Sequence, residues 1–235
     1  MPAQIIHIDP VGEVSFLKNN RSTRIRITVK PGGVSVTLPN SVPYREAIRF
    51  VESKASWIVQ QQSKMETGLP VFTTETEITT KFHRLKISRG NFPKVYNRAG
   101  NGILQFFIPE KFDVHHPAIQ EYIKKTLIEV MRHEAKAYLP KRVGELAAKY
   151  GLTYKQVFIK SAQTRWGSCS SENNINLNLH LMRLPDHLID YVILHELAHT
   201  IEKNHSPRFW KLLGKMTAHP KTLRKEMRQY RVAGW

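Results

Sequence analysis

Along the first hundred or so residues apolar positions alternate with polar ones, the period of strands with one buried face. Arg24-Ile25-Arg26-Ile27-Thr28-Val29 alternates, breaks at Pro31-Gly32-Gly33 and resumes as Val34-Ser35-Val36-Thr37-Leu38, which predicts a hairpin. Pro43 then opens a segment to about Met65 in which Ile48, Phe50, Val51, Ala55, Trp57, Ile58 and Val59 recur at helical spacing. Further strands are expected at Val71 to Ile78, Phe82 to Ser88 and Ile103 to Ile108, separated by Gly90-Asn91 and by Ala99-Gly100-Asn101-Gly102. This part reads as a small sheet carrying one helix.

The period changes near His115-His116-Pro117. A long helical pattern runs through Ile119, Ile123, Leu127, Met131 and Ala135 to Tyr150, with Pro140 expected to kink or split it and Gly151 expected to cap it. Short strands at Gln156 to Lys160 and Asn174 to Leu181 flank the loop around Arg165-Trp166-Gly167-Ser168-Cys169-Ser170. Pro185-Asp186 starts a helix expected to reach about Lys203, and Ser206-Pro207 starts another. The fold class is therefore α+β. A β-rich subdomain over residues 1–115 precedes a mainly helical domain over residues 116–235.

Composition narrows the setting. The 235 residues are 41% hydrophobic with 12 Gly and 13 Pro, which excludes fibrous and disordered classes. The single cysteine, Cys169, excludes an intramolecular disulfide and a Cys-rich zinc ribbon, and points to a reducing, cytoplasmic setting. The start of the chain lacks the apolar core of a signal peptide, and no run of about 18 apolar residues offers a membrane span. With 36 Lys+Arg against 19 Asp+Glu the net charge is +17, a field that attracts polyanions.

The chemistry centres on His195-Glu196-Leu197-Ala198-His199, an HExxH. On a helix, residues four apart stand one turn apart on one face, so both imidazoles reach the same ion, while Glu196 points to a neighbouring side. Zinc in catalytic sites takes three protein ligands and leaves a fourth position for water, so a third ligand is required. His205 fits: the spacing 195, 199, 205 matches the offsets of HExxHxxGxxH, although Glu202 stands where that pattern has glycine. Asn204 is expected to make the left-handed turn in its place. Other roles stay open. Glu202 lies at i+7 from His195 and is a candidate ligand or imidazole acceptor, and Glu226 is a candidate distant ligand. His187 falls on a nearby helix face, and His219 belongs to a helix end or solvent. His133-Glu134 lacks a histidine four residues on and reads as a solvated helix face. Cys169 is not expected to be a nucleophile, because a metal-activated water already supplies one.

At residues 165 to 210 the sequence resembles the YgjP-like metal-dependent hydrolases, related to the WLM and SprT-like zinc peptidases. The resemblance rests on Arg165-Trp166-Gly167-Ser168-Cys169-Ser170, Ile175-Asn176-Leu177-Asn178-Leu179, the run Ile189 to His199, and Asn204-His205-Ser206-Pro207-Arg208-Phe209-Trp210. It implies a zincin-like catalytic domain, His195, His199 and His205 as Zn2+ ligands, Glu196 as the catalytic glutamate, and a peptide or protein substrate. It also implies an antiparallel edge strand that binds the peptide by strand addition, a role for which Asn174 to Leu181 is the candidate.

The competing reading is a basic nucleic-acid-binding protein with a structural metal, or a DNA-associated protease combining both. Its support is the cationic runs: Lys18, Arg21, Arg24, Arg26 and Lys30 without an acid between them, and from Thr200 onward many cations against only Glu202 and Glu226. No base-reading motif accompanies them.

Overall fold

A computed structural model describes residues 3–30, 33–66 and 71–232, with 63–66 described by their backbone alone. The chain forms two compact units that divide at Pro70/Val71, whereas the change of texture had pointed to 115/116.

In the first unit, strands β1 (Gln4–Ile8), β2 (Gly12–Lys18), β3 (Arg26–Lys30) and β4 (Gly33–Leu38) form a sheet in the order β1-β2-β4-β3. The expected hairpin is present: β3 and β4 are antiparallel with Arg26 opposite Thr37. The centre of its turn, Pro31-Gly32, lies outside the described residues. β2 lies parallel to β4, so Val14 and Phe16 join Val34, Val36 and Leu38 on one buried face. The helical segment is two helices, α1 (Tyr44–Ser53) and α2 (Ala55–Glu66), which add Ala47, Val51 and Ile58 to that core.

In the second unit, β5 (Arg84–Gly90), β6 (Tyr96–Gly100) and β7 (Ile103–Pro109) form a sheet in the order β5-β7-β6. The stretch 71–78 is not a strand; near it only Thr79 makes an isolated bridge, to Arg84. Its polar run Thr73 to Glu77 turns on itself instead, through Thr73 N–H to Thr76 Oγ1 at 2.7 Å.

Helix α3 (Pro117–Tyr150) is a single helix through Pro140 and ends at Gly151 with φ 64°. Proline removes the bond that would reach the Lys136 carbonyl, at a position where the helix is exposed. Side-chain contacts explain why the sheet β5-β7-β6 belongs to the helical unit. Asn97 Nδ2 donates to the Tyr122 hydroxyl at 2.5 Å, and Phe106 meets the Tyr122 ring edge-on at 5.8 Å. Glu134 is only 3% exposed and accepts from Thr80 Oγ1 at 2.7 Å, with His83 Nδ1 at 2.6 Å from the same oxygen. Glu134 is thus no solvated residue, although its neighbour His133 is exposed.

Beyond α3 come β8 (Val157–Lys160), β9 (Gly167–Cys169), β10 (Ile175–Asn178), a 3-10 turn (Leu179–Arg183), α4 (Asp186–Ala198), α5 (Pro207–Met216) and α6 (Pro220–Met227). The sheet order is β8-β10-β9, with β10 parallel to β8 and antiparallel to β9. This corrects one expectation. β10 has both edges paired and cannot accept an added strand; the free edges are β8 and β9. Asn178, 1% exposed, donates to the carbonyls of Ala162 and Arg165 and caps the 3-10 turn through His180 N–H, which fixes the loop leading into β9.

α4 is buried on nearly all sides through Leu188, Ile189, Val192, Ile193, Leu194, Leu197 and Ala198. Arg142 on α3 clamps it with a bidentate pair to Asp190, at 2.7 and 2.6 Å. No described helix is long and apolar enough to cross a membrane.

Candidate metal centre

α4 ends five residues before the expected Lys203. His199 is its cap, with φ −69° and ψ −11°, and the Thr200 hydroxyl bonds the Leu197 carbonyl. Asn204 does not adopt a left-handed conformation, because the early ending leaves residues 200–204 for a wider turn. Ser206 then caps α5 by accepting from Phe209 N–H, and Pro207 fills its first position. The short turn and the immediate restart hold His205 at the junction.

The result is a convergence. His205 Nε2 lies 2.9 Å from His195 Nε2 and 3.2 Å from His199 Nε2. Among the described residues this triad is the one group of three or more His, Cys, Asp or Glu side chains placed to hold a metal ion. Three ligands about 2.05 Å from a tetrahedral ion stand roughly 3.3 Å apart, so the separations suit zinc-like coordination.

Proton placement agrees. His199 Nδ1 lies 2.9 Å from the Glu202 carbonyl oxygen, which only accepts, so Nδ1 carries the proton and Nε2 presents a bare lone pair. The imidazole acceptor near residue 202 is therefore the backbone carbonyl of Glu202 and not its carboxylate. Burial pushes the His195 imidazolium down to about 3, with His199, His205 and Arg224 adding to the effect. Burial likewise lowers His205, again with help from His199 and Arg224. Both stay neutral at pH 7, the form that coordinates metals. The ring of Phe209 stacks on His199 at 4.5 Å and meets His195 at 4.9 Å, giving the triad an apolar wall.

Glu196 is 6% exposed. Burial raises its carboxyl to about 7, opposed by the charge of Arg165 and a hydrogen bond from the Cys169 backbone. Strand β9 passes directly over it. A Cβ added at Gly167 would stand 2.7 Å from Glu196 Cγ and 2.8 Å from Oε1, so any larger residue there would displace the carboxylate. Gly167 thus leaves the room that the Glu196 side chain occupies, a contact that the spacing of the histidines does not reveal; in the sequence it is visible only as part of Trp166-Gly167-Ser168. Cys169 lies on the same strand, and burial pushes its thiol up, away from thiolate chemistry.

The remaining candidates lie elsewhere. Glu226 pairs with His187 at 2.8 Å and does not join the triad, and His219 adopts φ 53° at the start of α6.

Residues 23–230 match the family model described as YgjP-like, metallopeptidase domain. No curated protein matches the chain. Among solved structures it is similar to two metallopeptidase zymogens. Jannalysin of Methanocaldococcus jannaschii is 23% identical, with 38% of this chain and 92% of that chain covered and a TM-score of 0.35. Abylysin of Pyrococcus abyssi is 21% identical, with 38% and 91% covered and a TM-score of 0.34.

Proposed function

The chain belongs to the YgjP-like metallopeptidase family, and from that premise we propose that it hydrolyses peptide bonds with zinc held by His195, His199 and His205 and with Glu196 as general base. The observation that carries this reading is the meeting of three Nε2 atoms beside a buried carboxylate. Zinc bound there supplies Lewis acidity toward the scissile carbonyl and toward a water molecule. The protein does the rest. The Glu202 carbonyl fixes the tautomer of His199, and Phe209 holds the imidazoles in place and keeps bulk water from that side. Glu196 takes the proton of the attacking water as the C–O bond forms, then delivers it to the leaving nitrogen as the C–N bond breaks. An extended peptide is expected on the free edge of β9, which carries it past Glu196.

The zincin-like domain is the part of the chain from α3 onward that carries this site. The reading as a nucleic-acid-binding protein with a structural metal is not favoured, since a three-histidine set leaves a coordination position open and structural zinc sites are closed.

The test is metal content and peptide-library digestion of wild type, H205A and E196Q. Wild type and E196Q are expected to retain zinc and H205A to lose it, while E196Q hydrolyses at least about 10³-fold more slowly. Zinc-loaded E196Q cleaving as fast as wild type would remove Glu196 from the reaction.

A further inference from the structure

α6 and its C-terminal cap carry Lys221, Arg224, Lys225 and Arg228 at i, i+3, i+4 and i+7, and the cap keeps a helical backbone, so four cations share one face. Like charges at that spacing repel, and a helix face that is merely solvated gains by interleaving acids. None is interleaved here. The single acid of the helix, Glu226, is engaged by His187, and among the described residues none of the four cations forms an ion pair.

These four side chains and Trp210 of α5 line a pocket of about 380 Å³. Trp210 joins that pocket to the metal centre. Its ring lies 5.9 Å from the ring of His205 and 6.5 Å from that of His195, while the Arg224 guanidinium sits 5.4 Å from the Trp210 centroid. An extended peptide advances about 3.3 Å per residue, so a side chain within about three residues of the scissile bond spans this gap.

We propose that this pocket is a subsite for an anionic side chain of the peptide substrate, carboxylate or phosphate, and that it sets the sequence preference of cleavage; this rests on the peptidase reading above. Trp210 offers a flat apolar wall for the methylenes of such a side chain. The guanidinium of Arg224 offers a planar fork for its oxygens, and the other cations make the site positive overall.

The experiment uses peptides identical except for Glu, Gln, Lys or phosphoserine at each position within three residues of the scissile bond. Zinc-loaded wild type is expected to cleave the Glu peptide with a kcat/KM about tenfold above its Gln counterpart, and the Lys peptide most slowly. In R224Q/R228Q, and independently in K221Q/K225Q, the Glu-to-Gln ratio falls toward one. Phosphoserine against Glu identifies which anion the pocket prefers. Cleavage indifferent to charge, or a Glu preference that persists in both double variants, would overturn the subsite and leave the peptidase reading intact. Anisotropy titration of labelled Glu and Gln peptides on E196Q gives a readout without turnover. Glu-selective binding lost in E196Q/R224Q/R228Q, with no cleavage by wild type, leaves the pocket an anion site for peptides but ends the peptidase reading and with it the pocket's part in cleavage preference. Equal binding of the two peptides overturns the subsite. A single-stranded oligonucleotide that displaces the Glu peptide at lower concentration than the Gln peptide does, through the same arginines, would give the pocket to nucleic acid instead.

Discussion

The chain contains two His-Glu pairs on helices, His133-Glu134 on α3 and His195-Glu196 on α4, and in both the glutamate is buried, at 3% and 6% exposure. Their surroundings separate them. One oxygen of Glu134 receives the Thr80 hydroxyl and faces His83 Nδ1 at 2.6 Å, groups from the segment leading into β5, while His133 points to solvent. Glu196 instead lies under the backbone of β9, takes a hydrogen bond from Cys169, and follows a histidine whose Nε2 lies 2.9 Å from that of His205, in one cluster with His199. A buried carboxylate held by fixed donors ties two elements together. A carboxylate buried beside a cluster of three imidazoles is, on the peptidase reading proposed above, the one that moves a proton. Burial alone does not distinguish them; the company does.

The sharpest way to break the contrast is at Gly167, whose missing side chain is the space Glu196 occupies. G167A is expected to displace the carboxylate by about an ångström, leave all three histidines in place, and lower kcat/KM for peptide hydrolysis about 10²-fold at unchanged zinc content. Steady-state kinetics with metal analysis checks it. Wild-type activity in G167A would mean that the position of Glu196 under β9 does not matter to the reaction.

The opposite outcome is expected at Glu134. E134A takes the acceptor from His83 Nδ1 and leaves Thr80 Oγ1 only the His83 carbonyl, and it is expected to cost about 3 kcal/mol of stability, read as a lower urea midpoint. Zinc content and peptide cleavage at 25 °C should stay within about twofold of wild type, because Glu134 makes no contact with the triad. If E134A lost its zinc, the two pairs would be coupled and the contrast between anchor and reagent would fail.

These two glutamates also mark how far the sequence was readable. The HExxH spacing and His205 picked out the side chains that the fold brings together, because four residues make one helical turn and a capped restart at Ser206-Pro207 fixes what precedes it. Glu134 was misread although its register was visible: it falls three residues after Met131 and one before Ala135, on the buried face of α3. Its polar identity concealed this, since the partners that make burial tolerable lie some fifty residues earlier. The hairpin of β3 and β4 followed from local alternation. The pairing of β10 on both edges did not, because which strands become neighbours depends on long-range contacts. The end of α4 was misplaced for a related reason. No glycine or proline marks it, and the chain leaves the helix at His199, whose Nδ1 bonds the Glu202 carbonyl. Gly167 was visible only as one residue of a motif, since its reason is a contact with a residue 29 positions later.

The smallest expected effect concerns histidines and uses pH. His195 and His180 are both held below the usual imidazole range, His195 by burial with other histidines facing it, His180 by burial and the nearby charge of Arg183, which push it down to about 4. His180 lies in the 3-10 turn after β10, and its backbone N–H is held by Asn178. In the unfolded chain it takes up a proton near its ordinary value of 6.5, and in the folded protein only near 4. Between those values the unfolded state binds more protons, so stability rises with pH there; the contribution present above about 6.5 is lost as pH falls toward about 4. H180Q removes the titrating group, so the melting temperature of zinc-loaded H180Q should fall less than that of wild type between pH 6.5 and 4.5. Because both proteins keep His195, His199 and His205, any loss of metal in acid is common to the two curves and cancels in their difference. Parallel curves would mean that His180 contributes nothing to the acid sensitivity, and that the depressed histidines that matter to stability are those of the metal centre alone.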